Sequence, residues 1–230
     1  MKGAVGGRIL ACAMACPPGK SGSPSTRPFA TSTMNFDHLR FTLRAVVMDW
    51  VRQHDKALEA YVDSFRADPR DVRAARSVAW IHAQKQRWTA AADWFGKALE
   101  LEPGHADTWF NLGYAREQAG DRPGALEAFR RVTELNPKHD RAWYGQGMIH
   151  AHHGDHAAAA EALERAAQLQ PMNGAAWYAL GMARHHCHEP GKVEAVIRHL
   201  VEHEPQTARR LIRDAERADL AHLVAHLPGT

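Results

Sequence analysis

The sequence predicts an all-α array of stacked helix pairs, and three features carry that prediction. Prolines recur every 34 residues at Pro69, Pro103, Pro137, Pro171 and Pro205. Apolar, aromatic and small residues keep the same step in several further columns. Within each period the apolar positions follow three-and-four spacing, broken once by a turn signal. With proline near 5% of residues, four further coincidences after a first proline have odds on the order of 10⁻⁵.

The columns define the units. Trp109, Trp143 and Trp177 form one, with Phe41 and Ala75 in register before them; Gly113, Gly147 and Gly181 form another, preceded by Ala45 and Ala79. Ala57, Ala91, Ala125, Ala159 and Val193 make a small-residue column, and Tyr61, Phe95, Phe129, Leu163 and Ile197 a large one. Ser64, Ala98, Val132, Ala166 and Leu200 complete the set. In the unit 106–139, Trp109, Leu112, Gly113 and Arg116 mark a first helix, and Gly120-Asp121 interrupts it. Asp121 is placed to cap a second helix, with Pro123 in its first turn, where the missing N–H costs nothing. Asn136-Pro137 ends that helix, because proline disfavours helical geometry in the residue before it. Turns this short force each pair antiparallel. The glycines and small residues then let paired helices approach, while tryptophans and phenylalanines fill the space toward the next unit. One pair cannot bury its apolar face alone, so neighbours stack into a continuous core.

This pattern resembles the tetratricopeptide repeat family, most closely along Trp109…Leu112-Gly113…Gly120…Ala125…Phe129…Pro137 and nearly as well along Trp143…Gly147…Ala159…Ala166…Pro171. The resemblance implies a right-handed α-solenoid of about five helix-turn-helix repeats. The array spans 35–205, with units at about 38–71, 72–105, 106–139, 140–173 and 174–207. The first unit fits least well, having Arg44 in a leucine column; its helix is expected to bury Leu39, Leu43, Val46, Val47 and Trp50, a different phase of the amphipathic pattern. Gln146 also stands in an apolar column. Residues 206–230 read as a C-terminal capping helix and tail through Ala208, Leu211, Ile212 and Ala215, followed by Leu220, Leu223, Val224 and Leu227.

Residues 1–34 show no periodicity and are rich in Gly, Ser, Pro and Thr, which predicts a disordered tail, a targeting leader or a translation start at Met34 instead. They contain four bases (Lys2, Arg8, Lys20, Arg27) and no acid, so the rest of the 230-residue chain is close to neutral against a formal charge of +3. That balance argues against a nucleic-acid-binding surface on the folded part. No stretch approaches the roughly 18 consecutive apolar residues of a membrane span. Three cysteines, Cys12, Cys16 and Cys187, make no disulfide framework, which points to the cytoplasm; Leu10-Ala11-Cys12 keeps an exported assembly lipoprotein as an alternative.

The resemblance also implies where a partner sits. In the family, the first helices of successive units line a concave face that takes extended peptides or partner helices. Two adjacent rows fall there: Thr42, Arg76, Phe110, Tyr144, Tyr178, and Val46, Trp80, Tyr114, Met148, Met182. The aromatic and methionine side chains would form an adaptable trough for a protein or peptide partner, because methionine repacks around varied surfaces. Some family members clamp a terminal carboxylate with five polar side chains. Here Arg76, Asn111 and Arg141 match that set, while Trp80 and Gly145 replace the other two.

Sixteen histidines are many for this length. His150, His152, His153 and His156 surround one turn, and His185, His186, Cys187 and His188 the matching turn of the next unit. Stacking in register makes these clusters neighbours, so His152, His153, His186 and Cys187 are candidate ligands of a metal-binding or metal-sensing module using zinc, nickel or copper. Neither spacing is that of a structural zinc site. No phosphate loop, metalloprotease helix or nucleophile turn is present, so the expectation is a non-catalytic scaffold or chaperone-like adaptor without a cofactor.

Overall fold

The computed structural model describes residues 36–51 and 53–225; the expectations for residues 1–34 and for Leu227 fall outside them. Every regular element among the described residues is helical. The chain divides into two compact units, one through Arg87 and one from Trp88. The first holds α1 (Phe36–Trp50), α2 (His54–Ala67) and α3 (Val72–Gln84). The second holds α4 (Trp88–Leu101), α5 (Ala106–Gln118), α6 (Arg122–Leu135), α7 (Asp140–His152), α8 (His156–Leu169), α9 (Gly174–His186), α10 (Pro190–His203) and α11 (Pro205–Asp214), then a 3-10 helix over Ala218–Leu223.

Local chemistry sets these boundaries. Side chains of Asp71, His105, Asp121, His139, Asp155 and Asn173 each accept from the backbone N–H three residues on, satisfying a donor that the first helical turn leaves open. The turn inside each repeat requires a left-handed residue, and Gly120 (φ 89°) and Gly154 (φ 82°) supply it. Gln86 and His188 occupy the same register at φ 56° and 57°, where a side chain is costly.

In the second unit the periodic columns become one packing scheme. Phe95, Phe129, Leu163 and Ile197 are buried, as are Ala91, Ala125 and Ala159. The indole N–H groups of Trp109, Trp143 and Trp177 donate to the carbonyls of Pro103, Pro137 and Pro171 at 2.8, 2.9 and 2.9 Å. Each tryptophan therefore ties the start of its helix to the preceding interrepeat turn, which explains why the two columns run together. A Cβ on Gly113 would meet Phe129 at 2.8 Å, and one on Gly147 would meet Leu163 at 2.5 Å, so both glycines set the separation of paired helices. Gly181 differs from its expected role: a Cβ there would strike Leu211 of α11, not the paired helix α10. Gln146 is buried because its amide donates to Phe129 O (3.1 Å) and Thr133 Oγ1 (2.9 Å), which removes the cost of a polar group in an apolar column.

The cap forms in the repeat register. Ala208, Leu211, Ile212 and Ala215 are buried, and the 3-10 helix adds Leu220 and, just beyond it, Val224. Arg217 closes this end with two hydrogen bonds to the Asp219 carboxylate and a third to Pro190 O at 2.8 Å.

The first unit corrects one expectation. Leu39, Leu43, Val46, Val47 and Trp50 are not buried; they are 46% to 85% exposed. α1 instead seats the opposite face on α2, with Ala45 fully buried and His38, Phe41, Thr42 and Met48 half-buried around it. Ala45 stands in the glycine column, so close helix approach, not the strongest apolar face, decides which way α1 turns. Polar contacts hold that orientation: His38 Nε2 donates to Asp71 Oδ2 at 2.9 Å, and Thr42 Oγ1 lies 2.8 Å from the buried Ser64 hydroxyl.

Candidate partner-binding face

In the second unit the two rows fall on α5, α7 and α9, four residues apart on each helix, as 3.6-residue periodicity requires. The first row is largely occupied by the protein itself. Phe110 is 9% exposed, packed on the rings of Phe129 (5.7 Å) and His139 (4.8 Å), with the Arg141 guanidinium 5.8 Å from its centre. The Tyr178 hydroxyl donates to Asp214 Oδ2 at 2.7 Å, and the Arg210 guanidinium lies 4.4 Å from the ring centre. α11 therefore engages that end of the row. Tyr144 lies half-buried between them.

The second row is more open. Tyr114 stands edge-on to Trp88 with ring centres 5.6 Å apart, Met148 is 38% exposed, and Met182 is half-buried against the core. Asn111 is half-buried and Arg141 exposed. In the first unit, Trp80 is half-buried, edge-on to His54 at 6.5 Å, and its indole N–H finds no acceptor among the described residues. Arg76 is half-buried on the same helix.

One residue on this face is not marked by the repeat pattern. Glu117 sits one turn beyond Tyr114 on α5, and burial raises its pKa above the usual carboxylate value, with Arg122 pulling the other way. Tyr114 and Tyr144 are both raised, first by burial and then by the negative charge of Glu117. The carboxylate thus acts on the two tyrosines, one from each of two successive repeats. The other first helices have Asp49, Ala83, Ala151 and His185 in its column, a mixed set that does not single it out. The contacts of Asp214 and Arg210 with Tyr178 were equally invisible, because they depend on how the cap folds against α9.

The histidine clusters meet in part. His156 and His186 stack with ring centres 4.4 Å apart, and His185 lies 5.4 Å from His186. Burial, then the neighbouring imidazoles of His156, His185 and His188, lower the His186 pKa. His152 and His153 are exposed and pair with each other at 6.0 Å, and Cys187 is a half-buried free thiol. Among the described residues, no three His, Cys, Asp or Glu side chains form a group that could hold a metal. A concavity of about 560 Å³ lies on another side of α7, lined by Arg130, Trp143, Gln146, His150, Glu161 and Arg165, away from Tyr144 and Met148. No helix among the described residues is long and apolar enough to cross a membrane.

Comparison with known proteins supports the same architecture. No curated protein matches the chain by sequence. Among solved structures, a MamA protein superposes with a TM-score of 0.66 at 19% identity, covering 85% of this chain and 100% of its own. YrrB, a tetratricopeptide protein with an unusual peptide-binding site, gives 0.68 at 21% identity over 79% of this chain and 92% of its own. A MamA fragment from Desulfovibrio magneticus gives 0.64 at 17% identity, covering 78% and 97%. The tetratricopeptide repeat family matches residues 51–106, 110–171 and 153–186, more than half of the sequence. With the 34-residue register and the stacked helices, this match establishes that the chain belongs to the tetratricopeptide repeat family, whose members are generally non-catalytic scaffolds for protein or peptide partners.

Proposed function

We propose that the chain is an adaptor whose partner segment docks on the open part of the first-helix face in the second unit, at Asn111, Tyr114, Arg141, Tyr144, Met148 and Met182. Phe110 and Tyr178 support this surface from within. Arg76 and Trp80 are the corresponding partner contacts proposed on α3. The observation that carries the reading is an exposed methionine beside two half-buried tyrosines, with the incompletely compensated carboxylate of Glu117 next to them. An apolar or aromatic side chain of the partner would cover Met148, and a lysine or arginine nearby would neutralise Glu117. A carboxylate inside a low-dielectric groove attracts a cation more strongly than one in water. The existence of a peptide-binding site in YrrB supports the general mode.

Selection from a displayed random-peptide library tests this. Enriched sequences should pair a large apolar residue with a basic one. Changing Tyr144 and Met148 together to glutamate should weaken the selected peptides at least tenfold while the helical circular dichroism stays intact. Glu117→Gln should relax the preference for the basic residue with less loss of affinity. Unchanged binding by the double variant would remove the proposal.

A further inference from the structure

We propose that the outward face of α1 is a self-association surface, on which a second copy of this chain packs its own α1 antiparallel about a two-fold axis. Phe36, Leu39, Leu43, Val46 and Trp50 follow one another at steps of three, four, three and four, the spacing of a helix-pairing seam, and Val47 widens it. All six are exposed, from 46% at Val47 to 85% at Trp50. Together they leave on the order of 700 Å² of apolar surface, above the roughly 300–600 Å² of the largest patch on a typical monomer.

This face is continuous with a packing interface already used in the fold. Val47 stands 34 residues before Ile81, in the column of Ala115, Ile149 and Ala183, and those four are buried. In the second unit Ile149 of α7 belongs to one buried cluster with Phe129 and Val132 of the preceding α6. The open side of α1 is therefore the side by which a first helix receives the second helix of the unit before it. The preceding residues of this sequence do not repeat that second helix: Ser23 and Arg27 stand one period before Ala57 and Tyr61, with Pro24 and Pro28 among them. Among the described residues that side of α1 stays exposed, and a helix from another molecule fits it.

Charge selects which one. α11, whose exposed Arg210 and Arg213 share the single acid Asp214, would bring an excess of base against Arg40 and Arg44 beside the seam. Parallel pairing of two α1 helices would set the same arginines side by side. Antiparallel pairing turns that half, in which Arg40 and Arg44 outnumber the one acid Asp37, toward the partner's last turn, which has Asp49 beside His54 of α2 and no base of its own, and it opposes the helix dipoles. Complete burial of this face on two copies would cover at most about 1,400 Å², which reaches the lower part of the roughly 1,200–2,000 Å² of stable interfaces.

Sedimentation equilibrium of the full chain, with and without Leu43→Lys and Trp50→Lys, reads the proposal directly. The wild type should sediment at twice its chain mass and the double variant at one chain mass, both equally helical. In a background with the native cysteines changed to serine, Leu43→Cys should crosslink to itself on oxidation. Trp50→Cys should not, because antiparallel pairing separates the two copies of that residue by roughly 15 Å or more along the axis. A wild type that stays monomeric at millimolar concentration overturns the proposal, whether residues 1–35 or an unrelated helix then cover the face. So does a dimer that survives both lysines, and crosslinking at position 50 overturns the antiparallel arrangement. Tyr144→Glu with Met148→Glu should leave the dimer unchanged, which separates this surface from the partner-binding face.

Discussion

The first described helix and the last full α-helix each have a flank on which no further repeat stacks among the described residues of its own unit, and their sequences treat that flank oppositely. α11 turns Arg210 and Arg213 to solvent, and the chain then folds back so that Leu220 and Val224 are buried beside it. α1 keeps six large apolar side chains outward and has two arginines only along their margin. Both helices obey the same repeat register. Register fixes which face packs inward, whereas the residues on the opposite face decide whether that end is finished by the molecule itself or left for another helix.

The largest way to sharpen this contrast is truncation on each side. Leu211 is fully buried over Gly181, so Leu211→Ala should cost about 2–5 kcal/mol in chemical denaturation. Leu43→Ala, on an exposed face, should stay within about 0.5 kcal/mol of wild type where copies are dilute enough to be separate. Equal losses would break the distinction between a finished and an open end.

A second test lies in acid. The ring nitrogen of His139 caps α7 by accepting from Ala142 N at 3.2 Å, and burial lowers its pKa, with Asp140 opposing and Arg141 assisting. A histidine whose folded pKa is depressed leaves the unfolded chain holding more protons, so its contribution is complete above about pH 6.5 and is lost as pH falls from there through the folded value. His82 and His186 shift the same way, also first by burial. Thermal stability should therefore decline below pH 6.5, with loss of the His139 cap worth about 1 kcal/mol. His139→Asn, which keeps a capping oxygen and cannot titrate, should flatten that decline when melting is followed from pH 7.5 to 5.

Smaller effects separate the two units. Trp143→Phe removes the N–H that reaches Pro137 O but keeps an aromatic ring, and should cost about 0.5–1 kcal/mol by denaturant titration. Phe41 occupies the same column in α1 and carries no such N–H, so this tie is confined to the second unit among the described residues. His188→Gly should raise stability by about 0.5 kcal/mol, because glycine adopts the left-handed turn at φ 57° without the penalty a side chain brings. Gly154→Ala, at φ 82°, should lower it by at least as much.

The repeat made much of the fold legible before any coordinates. Periodic alanines, phenylalanines and prolines name their own structural positions, since each recurrence places the same residue type in the same local environment. Exceptions were harder. Gln146 reads as a misfit until the carbonyl of Phe129 and the hydroxyl of Thr133 appear beside it. Gly181 reads as a third copy of a glycine that separates paired helices, yet it receives a leucine from α11. Glu117 stands in a column of mixed residues, Asp49, Ala83, Ala151 and His185, so its effect on Tyr114 and Tyr144 emerges only when α5 and α7 lie together.

Sequence alone determined the helical hairpins, their turns, their caps and the small columns that let them approach, because these depend on residues a few positions apart or on a strict period. Tertiary structure decided which of two amphipathic phases α1 would use, which aromatic side chains of the partner-binding face remain accessible, and how α11 closes its end. Those outcomes rest on competition between surfaces far apart in sequence. A helix with apolar residues on two sides buries the one whose small residues permit closer contact.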